Sequence, residues 1–443
     1  MIASTRRDRR AVAACLVSAT LVVAGGIGGC PPDPGTDAGL NPPDSTPLLR
    51  NTSDPTNAGA DYVGATGCAA CHRDLSEQHA RHGHAQALRA ALGAPPRYPD
   101  AADDAGVPTP PAGLAWNDVA YVIGGYLHGG VFVDSDGFLL TDARAGAPAA
   151  WRLARPGAGQ SAGFVSFAPD AAEPVSFDFE CFRCHTTGPQ SAAQTGGVSQ
   201  GGRSGISGVW FEDGVQCEAC HGPGGNHVPN PSRRDLFVDT RSERCAECHT
   251  GGLADGAIPV VGGFVHPYAQ SEELRASGGH AEFQCTVCHD AHASSRYDRD
   301  RGIRNACLSC HSEQNMAFHG AFTFRVGDHE EPLTCESCHM PFSGRSVASI
   351  DAAIVGDEAA IGDVRGHIFR IDSSAGRRAD VFSAGGALMR LDSQGRAALS
   401  LDFVCLRCHN GSGNAFPISA DGAPSLTGRM HQNAGRAESL GQE

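Results

Sequence analysis

One short pattern of cysteine and histidine recurs eight times along the chain. Each repeat has a cysteine, two other residues, a second cysteine and then, without a gap, a histidine. The repeats are Cys68-Cys71-His72, Cys181-Cys184-His185, Cys217-Cys220-His221, Cys245-Cys248-His249, Cys285-Cys288-His289, Cys307-Cys310-His311, Cys335-Cys338-His339 and Cys405-Cys408-His409. Two cysteines at this spacing reach both vinyl groups of one porphyrin and form thioether bonds. The next residue then lies beneath the ring, where its imidazole binds the iron as proximal ligand.

Two other uses of paired cysteines compete with haem attachment. Such pairs form zinc ribbons with four ligands around each metal, and a single pair forms a thioredoxin-like redox site. Neither use requires a histidine directly after the second cysteine, and histidine makes up only 20 of the 443 residues. Chance therefore does not explain eight such histidines. The sequence predicts eight covalently bound c-type haems, each with its iron, and leaves only Cys15 and Cys30 outside the repeats.

The second axial position of each iron also needs a ligand, and histidine is abundant enough to supply it. Twelve histidines lie outside the repeats: His79, His82, His84, His128, His227, His266, His280, His292, His319, His329, His367 and His431. Because twelve exceeds eight, histidine ligation from both faces is possible for most or all haems. Such ligation suits fast electron transfer, because the iron stays low-spin and its geometry changes little on reduction.

Several segments around the repeats resemble cytochrome c-552/c-554-type multihaem proteins with the doubled CXXCH pattern. The matching segments are Tyr62-Val63-Gly64, His84-Ala85-Gln86-Ala87-Leu88, the run from Cys217 to Gly224 with His227-Val228, the run from Cys285 to His292, and the run from Cys335 to Pro341. The resemblance implies that second histidines in such segments are distal ligands, often to a neighbouring haem. It favours His84, His227 and His292, followed by His280, His329 and His367. The other six histidines stay open between ligation and pairing with propionates or solvent.

The N-terminal residues predict export. Arginines at positions 6–10 precede an apolar run over residues 11–23, which is typical of a secretory signal and short for a membrane span. The run ends in Ile-Gly-Gly-Cys30, which resembles the lipobox of bacterial lipoproteins, although an ordinary signal with an incidental cysteine is the alternative. We therefore predict a lipoprotein signal at 1–29 and a lipid on Cys30. A polar tether at 30–60 then holds the protein to a membrane in the periplasm or at the cell surface.

Residues 61–443 are predicted to form one octahaem domain of short α-helices and irregular loops wrapped around a haem core. Its parts are 61–180 with the first repeat and a β excursion, 181–341 with repeats two to seven, and 342–443 with a second β excursion and the last repeat. The first excursion predicts a hairpin of residues 130–133 and 138–141, and the second predicts strands at 387–391 and 397–403. Each excursion is either a cover over haem or a substrate or partner surface.

The amino-acid composition of the chain excludes some classes of function. The net charge of −15 argues against binding to nucleic acid, and it favours redox partners with a basic docking patch. Lysine is absent, which excludes the lysine-ligated catalytic haem of related nitrite and tetrathionate reductases. The sequence therefore favours an electron carrier, with a quinol-oxidising complex or another cytochrome as partner. An oxidoreductase acting on a small nitrogen or sulfur compound and a filament-forming cytochrome remain alternatives.

Overall fold

The computed structural model describes residues 52–99, 105–231, 236–253, 256–316, 319–346 and 361–431. The predicted signal, Cys30 and the tether up to residue 51 lie outside these residues. Within them, no helix is both long enough and apolar enough to cross a bilayer.

Short helices dominate the described chain. The α-helices span Gly64–Ala69, Arg73–Ala80, Asp142–Ala145, Phe179–Phe182, Ala192–Thr195, Cys217–His221, Ser242–Ala246, Gln270–Arg275, Cys285–Cys288, Arg299–Gly302, Cys335–His339 and Leu401–Val404. Single turns of 3-10 helix span Trp116–Asp118, Pro156–Ala158, Gln200–Gly202, Cys307–Ser309 and Arg378–Asp380, and a longer one spans Ala423–Arg429. With 57 glycines and 27 prolines in the sequence, long helices are disfavoured, and the longest α-helix among the described residues has eight residues. The predicted fold class of short helices and irregular loops is confirmed.

Cysteine repeats coincide with helical turns. In five repeats the histidine N–H donates to the carbonyl of the first cysteine, four residues earlier. These bonds are His72 to Cys68 at 2.9 Å, His249 to Cys245 at 2.9 Å, His289 to Cys285 at 3.0 Å, His311 to Cys307 at 2.9 Å and His409 to Cys405 at 3.0 Å. One turn of helix therefore brings the two sulfurs and the imidazole of a repeat to the same side of the backbone.

A five-stranded antiparallel sheet fills the gap between the first and second repeats. Its strands follow one another in space as in sequence: β1 Leu88–Ala90, β2 Val119–Gly124, β3 Gly130–Asp134, β4 Ala150–Arg152 and β5 Gly163–Val165. Four smaller ribbons pair Thr186–Thr187 with Glu212–Asp213, Gln190–Ser191 with Gly208–Val209, Val260–Val261 with Phe264–Val265, and Thr323–Val326 with His329–Pro332. The first β excursion is thus present and is larger than the predicted hairpin.

Strand β3 is buried along its whole length because the sheet has an apolar cluster on each face. Val131 and Val133 pack in one cluster, and Phe132 packs in the other. Its main partner is β2. The predicted partner, residues 138–141, meets β3 through two hydrogen bonds, from Asp134 N–H to the Phe138 carbonyl and from Leu140 N–H to the Phe132 carbonyl, both at 2.8 Å.

One face of the sheet packs on the second cysteine repeat. Phe182, which lies between the two cysteines of that repeat, is fully buried in the same cluster as Tyr121 and Trp210. The rings of Phe182 and Trp210 lie 5.2 Å apart, and those of Tyr121 and Trp210 lie 5.4 Å apart. The sheet is therefore a wall beside the second repeat.

The second predicted β excursion is wrong. Among described residues beyond 360, only isolated bridges occur, such as Phe382 with Met389 and Ile371 with Leu399. The predicted strand at 397–403 instead runs into a short helix, Leu401–Val404. The alternation of Leu399, Leu401 and Phe403 misleads because the polar residues between them are buried as well.

Residues 52–60 are part of the fold, although the sequence assigns them to a disordered tether. Asn57 is only 3% exposed. Its amide donates to the carbonyls of His221 and Pro223, both at 2.9 Å, and its oxygen accepts the Phe237 N–H at 2.8 Å. The ordered chain therefore reaches back at least to Thr52, and the predicted boundary at residue 61 is too late.

We predict that Asn57→Gly lowers the free energy of unfolding by about 3 kcal/mol, because three buried backbone groups lose a partner. Glycine keeps the left-handed backbone found at this position, where φ is 48°. Urea unfolding of the purified protein measures the change, with Asn230→Ala at an exposed position as the control. Equal midpoints for the two variants would contradict a structural role for this segment.

Candidate haem sites

Seven of the eight repeat histidines face a second histidine ring at one narrow separation. The ring centroids lie 5.8–6.3 Å apart in every pair. With the repeat histidine first, the pairs are His72–His227, His221–His292, His249–His84, His289–His367, His311–His280, His339–His431 and His409–His319. The planes of the paired rings make angles from 6° to 78°. A constant separation with a variable angle fits two rings on one axis, free to rotate about it.

This separation fits an iron between the rings. A metal–imidazole bond of about 2 Å on each side, with about 1.1 Å from nitrogen to ring centre, gives about 6.2 Å between centroids. Direct ring stacking would bring the planes much closer. The protein residues of seven repeats therefore fit haem iron held from both faces, and the cofactor would supply one-electron redox chemistry there.

Hydrogen bonds to Nδ1 orient many of these imidazoles and leave Nε2 for the metal. The repeat histidines 185, 221, 339 and 409 place Nδ1 at 2.7–3.2 Å from backbone carbonyls. His249 uses the Gln270 side chain at 3.2 Å, and among the facing rings His431 uses the Asn315 carbonyl at 2.7 Å. An Nδ1–H donor fixes the tautomer and directs the Nε2 lone pair at the metal, as is usual for ligating histidines.

Burial also favours the neutral imidazole that binds metal. Desolvation lowers the pKa of His367 to about 3, and it lowers the pKa of His84 well below its usual value. The same cause lowers the pKa of the repeat histidines His221, His249, His289 and His339. These rings are therefore uncharged at neutral pH, with one ring nitrogen already free of a proton and able to bind iron.

Five of the six distal histidines favoured by the sequence face a repeat histidine, and the sixth does not. The five are His84, His227, His292, His280 and His367. His329 instead lies beside Glu331, with its ring nitrogen 3.8 Å from the carboxylate. Two histidines that the sequence left open between ligation and other roles do face a repeat histidine. His319 faces His409, and His431 faces His339. No local pattern marks these two, because each meets its partner only through the path of the intervening chain.

The sulfurs of neighbouring repeats lie close together. The thiols of Cys68 and Cys217, of Cys184 and Cys248, and of Cys245 and Cys285 are in hydrogen-bond contact. Four further pairs of cysteines lie within electrostatic reach of each other: Cys220 and Cys245, Cys288 and Cys310, Cys307 and Cys335, and Cys338 and Cys405. Each repeat therefore has a cysteine of at least one other repeat within electrostatic reach.

Comparisons with known proteins point the same way. Residues 162–222, which hold the second and third repeats, match the family model for cytochrome c554 and c-prime. The chain is similar to the dissimilatory sulfite reductase MccA of Wolinella succinogenes, at 27% identity over 207 residues, covering 37% of this chain and 27% of that protein. It is also similar to the multiheme cytochrome MtrA of Shewanella baltica, at 23% identity over 140 residues, covering 29% of this chain and 36% of that protein. This chain is a multihaem c-type cytochrome.

The similarity of this cytochrome to known proteins is partial. It spans about a quarter to a third of the length of the two curated relatives that it matches. Among solved structures, the outer cell wall cytochrome OcwA aligns with a TM-score of 0.47 and 15% identity, covering 82% of this chain and 86% of that chain. Covalently bound c-type haem is the cofactor of the present chain, and electron transfer is the chemistry common to such cytochromes.

We predict that His431→Ala adds one high-spin ferric haem to the electron paramagnetic resonance spectrum of the oxidised protein, because His339 then has no ring opposite it. His329→Ala is the matched control and should leave the spectrum unchanged. The reverse result, with a new high-spin signal only in the His329 variant, would contradict the pairing described above.

Proposed function

We propose that this cytochrome relays electrons through eight haems between a respiratory donor and an acceptor outside the cytoplasm. The observation that carries the proposal is the set of seven facing imidazole pairs, and the proximity of cysteines from different repeats supports it. Thioether bonds tie each porphyrin edge to its two sulfurs, so neighbouring sulfurs bring porphyrin edges close together. Electrons then cross from one haem to the next without a mobile carrier.

The order of contacts makes the fourth repeat a junction. Its cysteines, Cys245 and Cys248, are in hydrogen-bond contact with sulfurs of the fifth and second repeats, and Cys245 lies within electrostatic reach of Cys220 in the third repeat. The first repeat joins through the third, and the sixth, seventh and eighth follow the fifth in sequence order. The proposed relay therefore has three branches with ends at the first, second and eighth repeats.

The axial histidines suit this role. Ligation of both iron faces by imidazole keeps the iron low-spin, so little rearrangement accompanies each electron. Nδ1 hydrogen bonds and burial hold the paired rings in place. The net charge of −15, increased by the haem propionates, favours partners with a basic patch and docking that weakens with salt.

A test of the junction uses the distal ligand of the fourth repeat. His84→Met gives methionine–histidine ligation, which raises the haem potential and creates an electron trap between the branches. Escape from the trap slows about tenfold for each rise of about 60 mV. We expect slower complete reoxidation of the reduced variant in stopped-flow measurements.

The matched variant is His319→Met, which changes the eighth repeat at the end of one branch. Electrons in the other two branches do not pass through this haem, so most of the reoxidation should keep its wild-type rate. Equal slowing in both variants would exclude a junction at the fourth repeat.

We also propose that a lipid on Cys30 holds the exported protein at a membrane. Cys30→Ser removes the acceptor of the lipid, and the variant should move from the detergent phase to the aqueous phase on cell fractionation. Cys15→Ser is the control, because this cysteine lies within the predicted signal. Retention of the Cys30 variant in the detergent phase would rule out the lipid anchor.

A further inference from the structure

Asn57, in the segment 52–60, is bonded directly to the backbone of the third repeat's histidine. Its side-chain amide donates to the carbonyls of His221 and Pro223, both at 2.9 Å. Asn57 is only 3% exposed, so water does not compete for these bonds. The loop that begins at His221 is therefore tied to a residue 164 positions earlier in the chain.

The same side chain reaches the His221 ring through Phe237. The amide oxygen of Asn57 accepts the Phe237 N–H at 2.8 Å, and the Phe237 carbonyl lies 3.1 Å from Nδ1 of His221. Thr52 adds a parallel bridge to Phe237 from the same segment. Asn57 therefore holds the histidine at two places, at its backbone directly and at its ring through one intervening residue.

The backbone of the third repeat is shaped to receive this segment. Gly222, directly after His221, has a φ of 69°, in the left-handed region that favours glycine. A Cβ atom at this position would collide with the Pro55 carbonyl oxygen and would lie 2.9 Å from Nδ2 of Asn57. The close approach of the two segments therefore depends on a glycine beside the ligand.

Asp54 builds the turn that presents Asn57. Its carboxylate accepts the N–H groups of Thr56 and Ala58 at 2.9 and 2.8 Å, and its backbone carbonyl accepts the Asn57 N–H at 3.1 Å. Asn57 has a φ of 48°, a conformation that asparagine adopts more readily than most residues. These bonds of Asp54 involve no residue of the third repeat, so Asp54 can act on that repeat only through the turn.

We infer that Asn57 is a positioning residue that sets the reduction potential of the third haem. The inference rests on the proposed function, in which the third haem lies between the first repeat and the junction. A hydrogen bond from Nδ1–H to a carbonyl increases the basicity of a ligating imidazole, which stabilises ferric iron and lowers the potential. This bond needs the Phe237 carbonyl in place, and Asn57 holds Phe237 there. Asn57 thereby controls how readily electrons cross this branch.

The test is a potentiometric titration of the full-length protein, followed by optical and electron paramagnetic resonance spectra. In Asn57→Gly, the reduced-to-oxidised ratio of one haem at a fixed potential should rise about tenfold, which corresponds to about 60 mV for a one-electron couple. Tyr98→Phe, which removes a hydrogen bond to the Gly124 carbonyl, should leave every haem unchanged. General loosening would admit water, which favours ferric iron and lowers the potential. An unchanged or lowered potential in Asn57→Gly would overturn the inference.

His292→Met assigns the affected haem, because His292 faces His221. Methionine ligation raises the potential of its haem, and the component that moves in this variant should be the one that moves in Asn57→Gly. Movement of two different components would overturn the inference and leave the relay intact. If His292→Met moves no component, the pairing of these two rings fails, and with it the support for the proposed function.

Asp54→Asn gives a second test that does not depend on the folding of Asn57→Gly. An amide oxygen accepts hydrogen bonds more weakly than a carboxylate, so the turn holds Asn57 less firmly and the same component should rise by a smaller amount. Asp61→Asn, at an exposed position a few residues along the chain, is the matched control because it removes the same charge. Equal shifts in the two variants would reveal an effect of charge alone and would contradict the role of Asn57.

Discussion

The whole fold depends on pairs of imidazoles that meet at about 6 Å from distant parts of the chain. One member of each pair is fixed locally, since it follows the second cysteine of its repeat directly. The other arrives from elsewhere, as when His227 reaches His72 or His431 reaches His339. Each pair thus closes a long loop around one iron. Short helices and small sheets suffice because these closures, and not extended secondary structure, set the path of the chain.

The two halves of each site differ in how far the sequence predicts them. The repeat supplies two cysteine sulfurs and one imidazole within five residues, so its chemistry can be predicted from the sequence alone. The facing ring depends on loop closure over long separations, which no local spacing encodes. His329 illustrates the difference: it begins the strand His329–Pro332, and that ribbon turns its ring toward Glu331. His319 carries no motif and yet meets His409.

The β predictions fail and succeed for a related reason. Alternation of apolar and polar residues indicates a strand only when the polar face meets solvent. At 397–403 the polar residues are buried: Ser400 donates to Asp402 at 2.5 Å, and Asp402 also accepts the Arg378 N–H at 2.8 Å. The alternation there arises because the intervening polar side chains are buried and hydrogen-bonded, and not because the segment is a strand. In β3 burial on both faces gives a continuous apolar run instead of an alternation, and that run, followed by a turn, predicts the strand correctly.

In the proposed order of repeats, the second repeat lies at the end of a branch. The thiols of Cys184 and Cys248 join it to the fourth repeat, and the Arg183 guanidinium donates a hydrogen bond to the Glu247 carbonyl of that repeat at 2.9 Å. A haem at the end of a branch would receive electrons without lying on the path between the other two ends. Phe182, between the two cysteines of this repeat, is buried in the same cluster as Tyr121 and Val131 of the sheet, so the sheet fixes the position of this end of the proposed relay.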